Sequence, residues 1–207
     1  AFSKIGSAAL KVGKVIATGL AAGAGAVVAI TKQAVDAYAD YEQLVGGVET
    51  LFKDSADTVL NYANNAYKTA GLSANDYMET VTSFSGALLQ SLNGDTAAAA
   101  KKADLAVTDM SDNMNKMGSS MESIQNAYQG FAKQNYTMLD NLKLGYGGTK
   151  EEMQRLLSDA EKLSGQKFDI SSYSDVVDAI HIVQTEMGIT GLSLIHISEP
   201  TRHLRIS

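Results

Sequence analysis

The chain has no cysteine, no tryptophan and one proline in 207 residues. The missing cysteine excludes disulfides, thiolate metal sites and a cysteine nucleophile. Proline breaks helix interiors, so its scarcity leaves room for long uninterrupted helices. Positive charge is also in short supply. Seventeen Lys and Arg face 23 Asp and Glu, a net charge of −6 and a pI near 5.0, which argues against a sequence-independent grip on nucleic-acid phosphates. Aromatic residues are 7% of the chain although hydrophobic residues are 45%, so the apolar content is dominated by small side chains. The length allows one or two domains and a real buried core.

What is present reads as helix throughout, with no strand pattern and no short-period repeat. The fold class expected is all-α: an N-terminal small-residue hydrophobic helix over residues 1–44, followed by a multi-helix globular domain over residues 45–191. Between Lys14 and Lys32 there is no charge, a stretch just short of the roughly 18 apolar residues wanted for a membrane span. Gly19-Leu-Ala-Ala-Gly23 lets helices approach closely, so packing against other helices is the favoured reading over bilayer contact. Lys4, Lys11 and Lys14 ahead of Val15–Ile30 imitate a signal peptide. The apolar run instead flows into a helical pattern through Ala34, Ala37 and Tyr41, where a cleavage region should end it.

Further along, Tyr41–Ala70 reads as a helix, with Gly46-Gly47 as its candidate interruption. Val48, Leu51, Phe52, Val59, Tyr62 and Ala66 form its apolar stripe. Gly71 supplies a stop and Ser73 an N-cap for a helix that places Tyr77, Val81, Phe84 and Leu88 on one face. Asn93-Gly94 turns the chain, and Asp95 or Thr96 caps Thr96–Met117. There Ala103, Val107, Met110, Met114 and Met117 alternate four and three apart, a heptad seam read as core. Gly118 ends that helix. Ser119 or Ser120 caps the next, which uses Met121, Ile124, Tyr128 and Phe131. Residues 135–148 break the period and read as an ordered loop. Thr149-Lys-Glu-Glu152 is a capping box opening a helix to about Leu163, closed by Ser164-Gly165. Ser174-Asp175 opens the last helix, with Val176, Ile180, Val183 and Met187 inward and Gly188 as its C-cap.

Chemistry is hard to find. Catalysis needs polar groups of matched pKa held together, and His181 is the one histidine before residue 192. It lies mid-helix beside Ile180 and Ile182 and reads as a boundary histidine with its hydrogen bonds satisfied. Asp178, His181 and Glu186 lack metalloprotease spacing, and Asp175 and Asp178 suit the helix dipole. Gly145-Tyr-Gly-Gly-Thr-Lys150 fails the phosphate-loop pattern, which needs Gly directly before Lys and a preceding strand. Gly23-Ala-Gly25 lacks the third glycine of a dinucleotide fold. Lys101-Lys102 is too short for a nucleic-acid patch. The carboxylates read as solvated helix faces. The expectation is therefore no catalytic, cofactor-binding or metal residues and no enzyme.

Residues 192–207 differ from the rest. They hold the only proline, Pro200, two of the three histidines, His196 and His203, and two of the three arginines, Arg202 and Arg205. The eleven residues from Leu192 to Arg202 resemble the translation of a transposase adapter used in preparing sequencing libraries. That likeness implies a non-native tail, and a natural protein that continues past Thr190.

Several strings before that tail resemble the tail tape measure proteins of bacteriophages and prophages of Gram-positive bacteria. They are Phe2-Ser-Lys-Ile-Gly-Ser-Ala-Ala-Leu-Lys-Val-Gly-Lys14, Tyr38-Ala-Asp-Tyr-Glu-Gln-Leu-Val-Gly-Gly-Val-Glu-Thr-Leu-Phe52, Ala70-Gly-Leu-Ser-Ala-Asn-Asp-Tyr-Met78, Asp109-Met-Ser-Asp-Asn113 and Gln125-Asn-Ala-Tyr-Gln-Gly-Phe-Ala-Lys133. Leu142-Lys-Leu-Gly-Tyr-Gly-Gly-Thr-Lys-Glu-Glu-Met153 is the most specific. The resemblance implies a helical structural protein that fills the tail tube, sets tail length during assembly and leaves the tube before DNA ejection. It implies the tail tube protein, tail assembly chaperones and further copies of the chain as partners, with contact with the host membrane during ejection for some members. It implies the tail lumen of the virion as location, with host cytoplasm during assembly, and no cofactor and no sequence-specific nucleic-acid binding. The family offers no catalytic residues to carry over. The competing reading is a membrane-active, pore-forming helical protein that inserts Val15–Ile30. A cell-wall hydrolase is disfavoured for want of catalytic groups.

Overall fold

A computed structural model describes residues 39–191. Residues 1–38 of the segment expected as an N-terminal hydrophobic helix, with its Gly19/Gly23 pattern, and the divergent tail from residue 192 lie outside the described residues. The chain divides into two units after Gln43. The described part of the second unit is all-helical, without strands.

Helix is described over residues 39–52, and its part in the second unit, residues 44–52, is α1. Gly46-Gly47 does not interrupt it; helix runs straight through both glycines. Glycine inside a helix costs only about 1 kcal/mol, and the wholly buried Val48 and Phe52 hold the turn that follows the pair against the core. The break falls instead at the 3-10 turn Lys53–Ser55, where Lys53 takes a left-handed φ of +47°. α2 then covers Ala56–Thr69 and buries Ala56, Val59, Ala63 and Ala66. Leu51 and Tyr62, expected in the stripe, are only half-buried.

The caps read from sequence hold in the next three helices. Ser73 accepts the Asp76 N–H and opens α3, Ala74–Ser91, which buries Tyr77, Val81, Phe84 and Leu88. Asp95 accepts the Ala97 and Ala98 N–H groups and opens α4, Thr96–Met117. Gly118, at φ +68°, closes it in the left-handed conformation that glycine adopts without steric cost. Ser120, not Ser119, caps α5, Met121–Phe131; Ser119 Oγ instead donates to the Asn141 carbonyl at 2.6 Å.

The region 135–148 is an ordered loop. It holds a 3-10 turn at Leu139–Leu142 and buries Tyr136, Leu139, Leu142 and Leu144. Thr149 caps α6, Lys150–Ser164, by accepting the Glu152 N–H. Only half of the expected capping box forms, because the Glu152 carboxylate reaches back to the Gly147 N–H at 3.0 Å and not to that of Thr149. The last helix, α7, is Tyr173–Glu186 with Ser172 as its cap, so it opens earlier than the Ser174-Asp175 start expected from sequence. Ser172 Oγ is the acceptor for Asp175 N, while Ser174 is itself buried. Met187, expected inward, is 44% exposed just beyond the helix.

α4 is the centre of the assembly, packing on α2, α3, α5 and α7. α3 packs on α2, α4, α5 and α7, and α6 packs chiefly on α7. The expected seam is correct through Ala103, Val107 and Met110, all fully buried. Met114 and Met117 are half-exposed, where the helix leaves the core. Phe84, Tyr128, Phe131, Tyr136 and Tyr173 form a chain of ring contacts 5.9–6.4 Å apart in the space between α3, α5 and α7. No helix among the described residues is long and apolar enough to cross a membrane.

Candidate functional site

The carboxylates of α4 are not solvated faces, contrary to the sequence reading. Asp109, Ser111, Asp112 and Asn113 are all buried, and with Met110 they make five consecutive buried residues. A central helix has neighbours on every side, so its polar residues must find partners inside the protein.

Most of them find α7 or its continuation. Lys102 forms an ion pair with Asp178. His181 Nδ1 lies 2.9–3.0 Å from both oxygens of Asp109. Asn113 Nδ2 donates to Gln184 Oε1 at 2.8 Å and to the Leu142 carbonyl at 3.0 Å. The Gly191 N–H donates to Asp112 Oδ2 at 2.7 Å. Positions 102, 109 and 113 are seven and four apart, one face of a helix. Their partners 178, 181 and 184 ascend in the same order, so the two helices meet in parallel sense along a polar ladder. Ser111 and Asp104 point elsewhere: Ser111 donates to the Ala70 carbonyl at 2.6 Å, and Asp104 accepts from the Tyr77 hydroxyl of α3 at 2.8 Å.

The electrostatics of the central rung follow from burial. Desolvation pushes the Asp109 carboxyl up, the negative charges of Asp112 and Asp178 push the same way, and the His181 hydrogen bond opposes them. That same bond raises His181; partial burial and Lys102 oppose it, and Asp178 adds to it. A proton on this pair is therefore held more firmly than on either group in water. Burial also pushes the Tyr128 hydroxyl far up, with Gln184 acting against the shift. Asn113 Oδ1 and the Tyr173 hydroxyl are buried without a hydrogen-bond partner.

A histidine backed by a buried carboxylate is the arrangement that orients imidazole in catalytic dyads and metal sites. The other parts are not assembled around it. Among the described residues no serine or threonine hydroxyl bonds the imidazole ring, and no group of three His, Asp or Glu side chains could hold a metal ion. A cavity of about 340 Å³ lies against Ala87, Phe131, Gln134 and Tyr173. A second, of about 450 Å³, lies against Leu157, Phe168 and Ile170. Neither is lined by Asp109 or His181.

The residues weighed from sequence are scattered. Asp178, assigned to the helix dipole, is instead the partner of Lys102, while Asp175 bonds the Ser172 cap. Glu186 and Lys101 are exposed. The segment Gly145–Lys150 is a built junction rather than a phosphate cradle. The Arg155 guanidinium stacks on the Tyr146 ring at 4.4 Å and donates to the Gly145 carbonyl at 2.8 Å. The Tyr146 hydroxyl donates to Asp159 at 3.0 Å. The Gly147 N–H that an anion would need is taken by Glu152. Sequence reasoning missed Asp109, Asp112, Asn113 and Gln184 as a set. The available signal was their helical spacing, which puts 102, 109 and 113 on one face.

No protein-family model, no curated protein and no solved structure matches this chain.

Proposed function

We propose that this chain is a structural, non-enzymatic part of a phage tail tape measure protein, which occupies the tail tube, sets tail length and leaves before DNA ejection. The observation that carries the reading is the string Leu142–Met153 and its likeness to that family. Each distinctive position in it has a local task. Leu142, Leu144 and Met153 are buried, Lys143 and Gly145 take φ of +54° and +84°, Tyr146 stacks on Arg155 and Thr149 caps α6. These local tasks explain why a string of this kind would recur wherever the same loop-to-helix junction is built. The inward-turned polar ladder supports a structural role too, since Lys102, Asp109 and Asn113 each bond a side chain of α7. The tail tube protein, assembly chaperones and further copies of the chain are the partners this reading requires.

The reading is tested by peptide mass spectrometry on purified virions of the phage encoding the gene. Peptides from residues 44–191 are expected in intact particles and lost from particles that have ejected their DNA. Peptides found only in the host lysate, and never in virions, would overturn it.

A further inference from the structure

We propose that α6 and α7 form a hairpin that detaches from the rest of this domain, latched to α4 through Asp109 and His181, which hold it while the pair carries a proton and loosen it when that proton leaves. The proposal is independent of the tail reading.

The hairpin is set apart by how it is attached. α6 buries Met153, Leu156, Leu157 and Ala160, but its principal neighbour is α7, and α7 makes the contacts with α3 and α4. The hairpin is therefore docked chiefly through one helix. That helix offers Val176, Val177, Ile180 and Val183 as apolar contacts, which do not change with pH. The remaining ties are the Tyr136 hydroxyl on the Ile170 carbonyl at 2.8 Å, the Ser174 N–H on Ser91 Oγ at 3.2 Å, the Gly191 N–H on Asp112 at 2.7 Å, the ring contact of Tyr173 with Phe84, the bonds of Asp159 and Arg155 to the loop at Tyr146 and Gly145, and the three rungs of the ladder. A helix pair docked on the other helices mainly through one of its members can open as a unit, at lower free energy than the core around it.

The middle rung is the one that titrates near neutral pH. The groups facing it are Lys102, Asp109 and Asp112 on α4, Asp178 on α7, and the Tyr128 hydroxyl on α5. With His181 protonated, three carboxylates meet two cations. With His181 neutral, they meet Lys102 alone, and a buried carboxylate has lost its counter-charge. Asp109 bonds His181 in the docked state, and docking raises the proton affinity of both. A group whose folded pKa is raised contributes stability that is complete below its unfolded value and lost as pH rises through the folded one. For His181 that loss begins above about 6.5, so the latch is tight in mild acid and slack in mild alkali.

Hydrogen exchange on the full chain, compared between about pH 6 and about pH 9 after correction for intrinsic rates, tests this. Protection of α6 and α7 amides should fall relative to α3 and α5, by about tenfold for each unit by which docking raises the pair's pKa. Asp109→Asn, which keeps the shape and removes the charge, should abolish that difference, and so should His181→Gln at the more exposed partner. Should one variant fail to fold, the other decides. Equal loss of protection in the hairpin and in α3, or a difference that survives in the folded variants, would overturn the proposal.

Discussion

Met110→Asp is expected to cost more than about 4 kcal/mol, enough to unfold most of the domain at room temperature, given that domains of this size are stable by only about 5–15 kcal/mol. Met110 sits mid-α4 with no exposure, on the seam with Ala103 and Val107. A carboxylate there would have no partner, and Asp109 and Asp112 are already buried beside it. Burying a charge without a partner is the costliest single change a core can suffer. Met110→Leu, similar in volume, should cost less than about 1.5 kcal/mol. Denaturant midpoints measure both. An unshifted midpoint for Met110→Asp would mean that α4 is not the central helix.

Gly148→Ala is expected to cost about 3 kcal/mol, at the upper end for an overpacked site. A Cβ at Gly148 would lie 2.2 Å from the Thr137 carbonyl oxygen and 2.9 Å from its carbon. Both are backbone atoms, so the loop itself must move, and with it Leu139 and Leu142 from their buried places. The neighbouring glycine is the control. A Cβ at Gly147 would meet only Glu152 Cγ, at 3.6 Å, an ordinary contact, so Gly147→Ala should stay within about 0.5 kcal/mol of the parent. Matching thermal or denaturant midpoints for the two variants would contradict the close approach of Thr137 and Gly148.

The features legible in sequence are those decided within a few residues. Ser73, Asp95 and Thr149 cap helices because their oxygens reach N–H groups two or three positions on. Gly118 and Gly165 end helices because nothing else takes a left-handed φ so cheaply. The apolar stripes of α3 and α5 follow from the helical period alone. The ladder was not legible, because its partners are 71 to 76 residues apart. Asp109 reads as a surface carboxylate until α7 is laid against it. Lys53 is similar: the left-handed turn there joins two buried residues, Phe52 and Ala56, and the packing of those neighbours overrides lysine's own preference. Ser172 and Ser174 are equally good caps by composition, and the choice falls on the one that leaves Tyr173 and Ser174 buried. Met187 continues the α7 stripe in sequence, but the helix ends at Glu186 and Gly188 turns the chain at φ +64°.

Tail length is the most direct test of the account's central claim. The gene should be altered in the intact phage by in-frame deletion of codons 45–191, and the tails measured by electron microscopy. These 147 residues, laid out as continuous helix at about 1.5 Å per residue, span about 220 Å. A ruler protein predicts a uniform population of tails shorter than the parent's by up to that amount, and a matching gain on duplication of the same codons. Assembled particles with tails of unchanged length in both altered phages would contradict it.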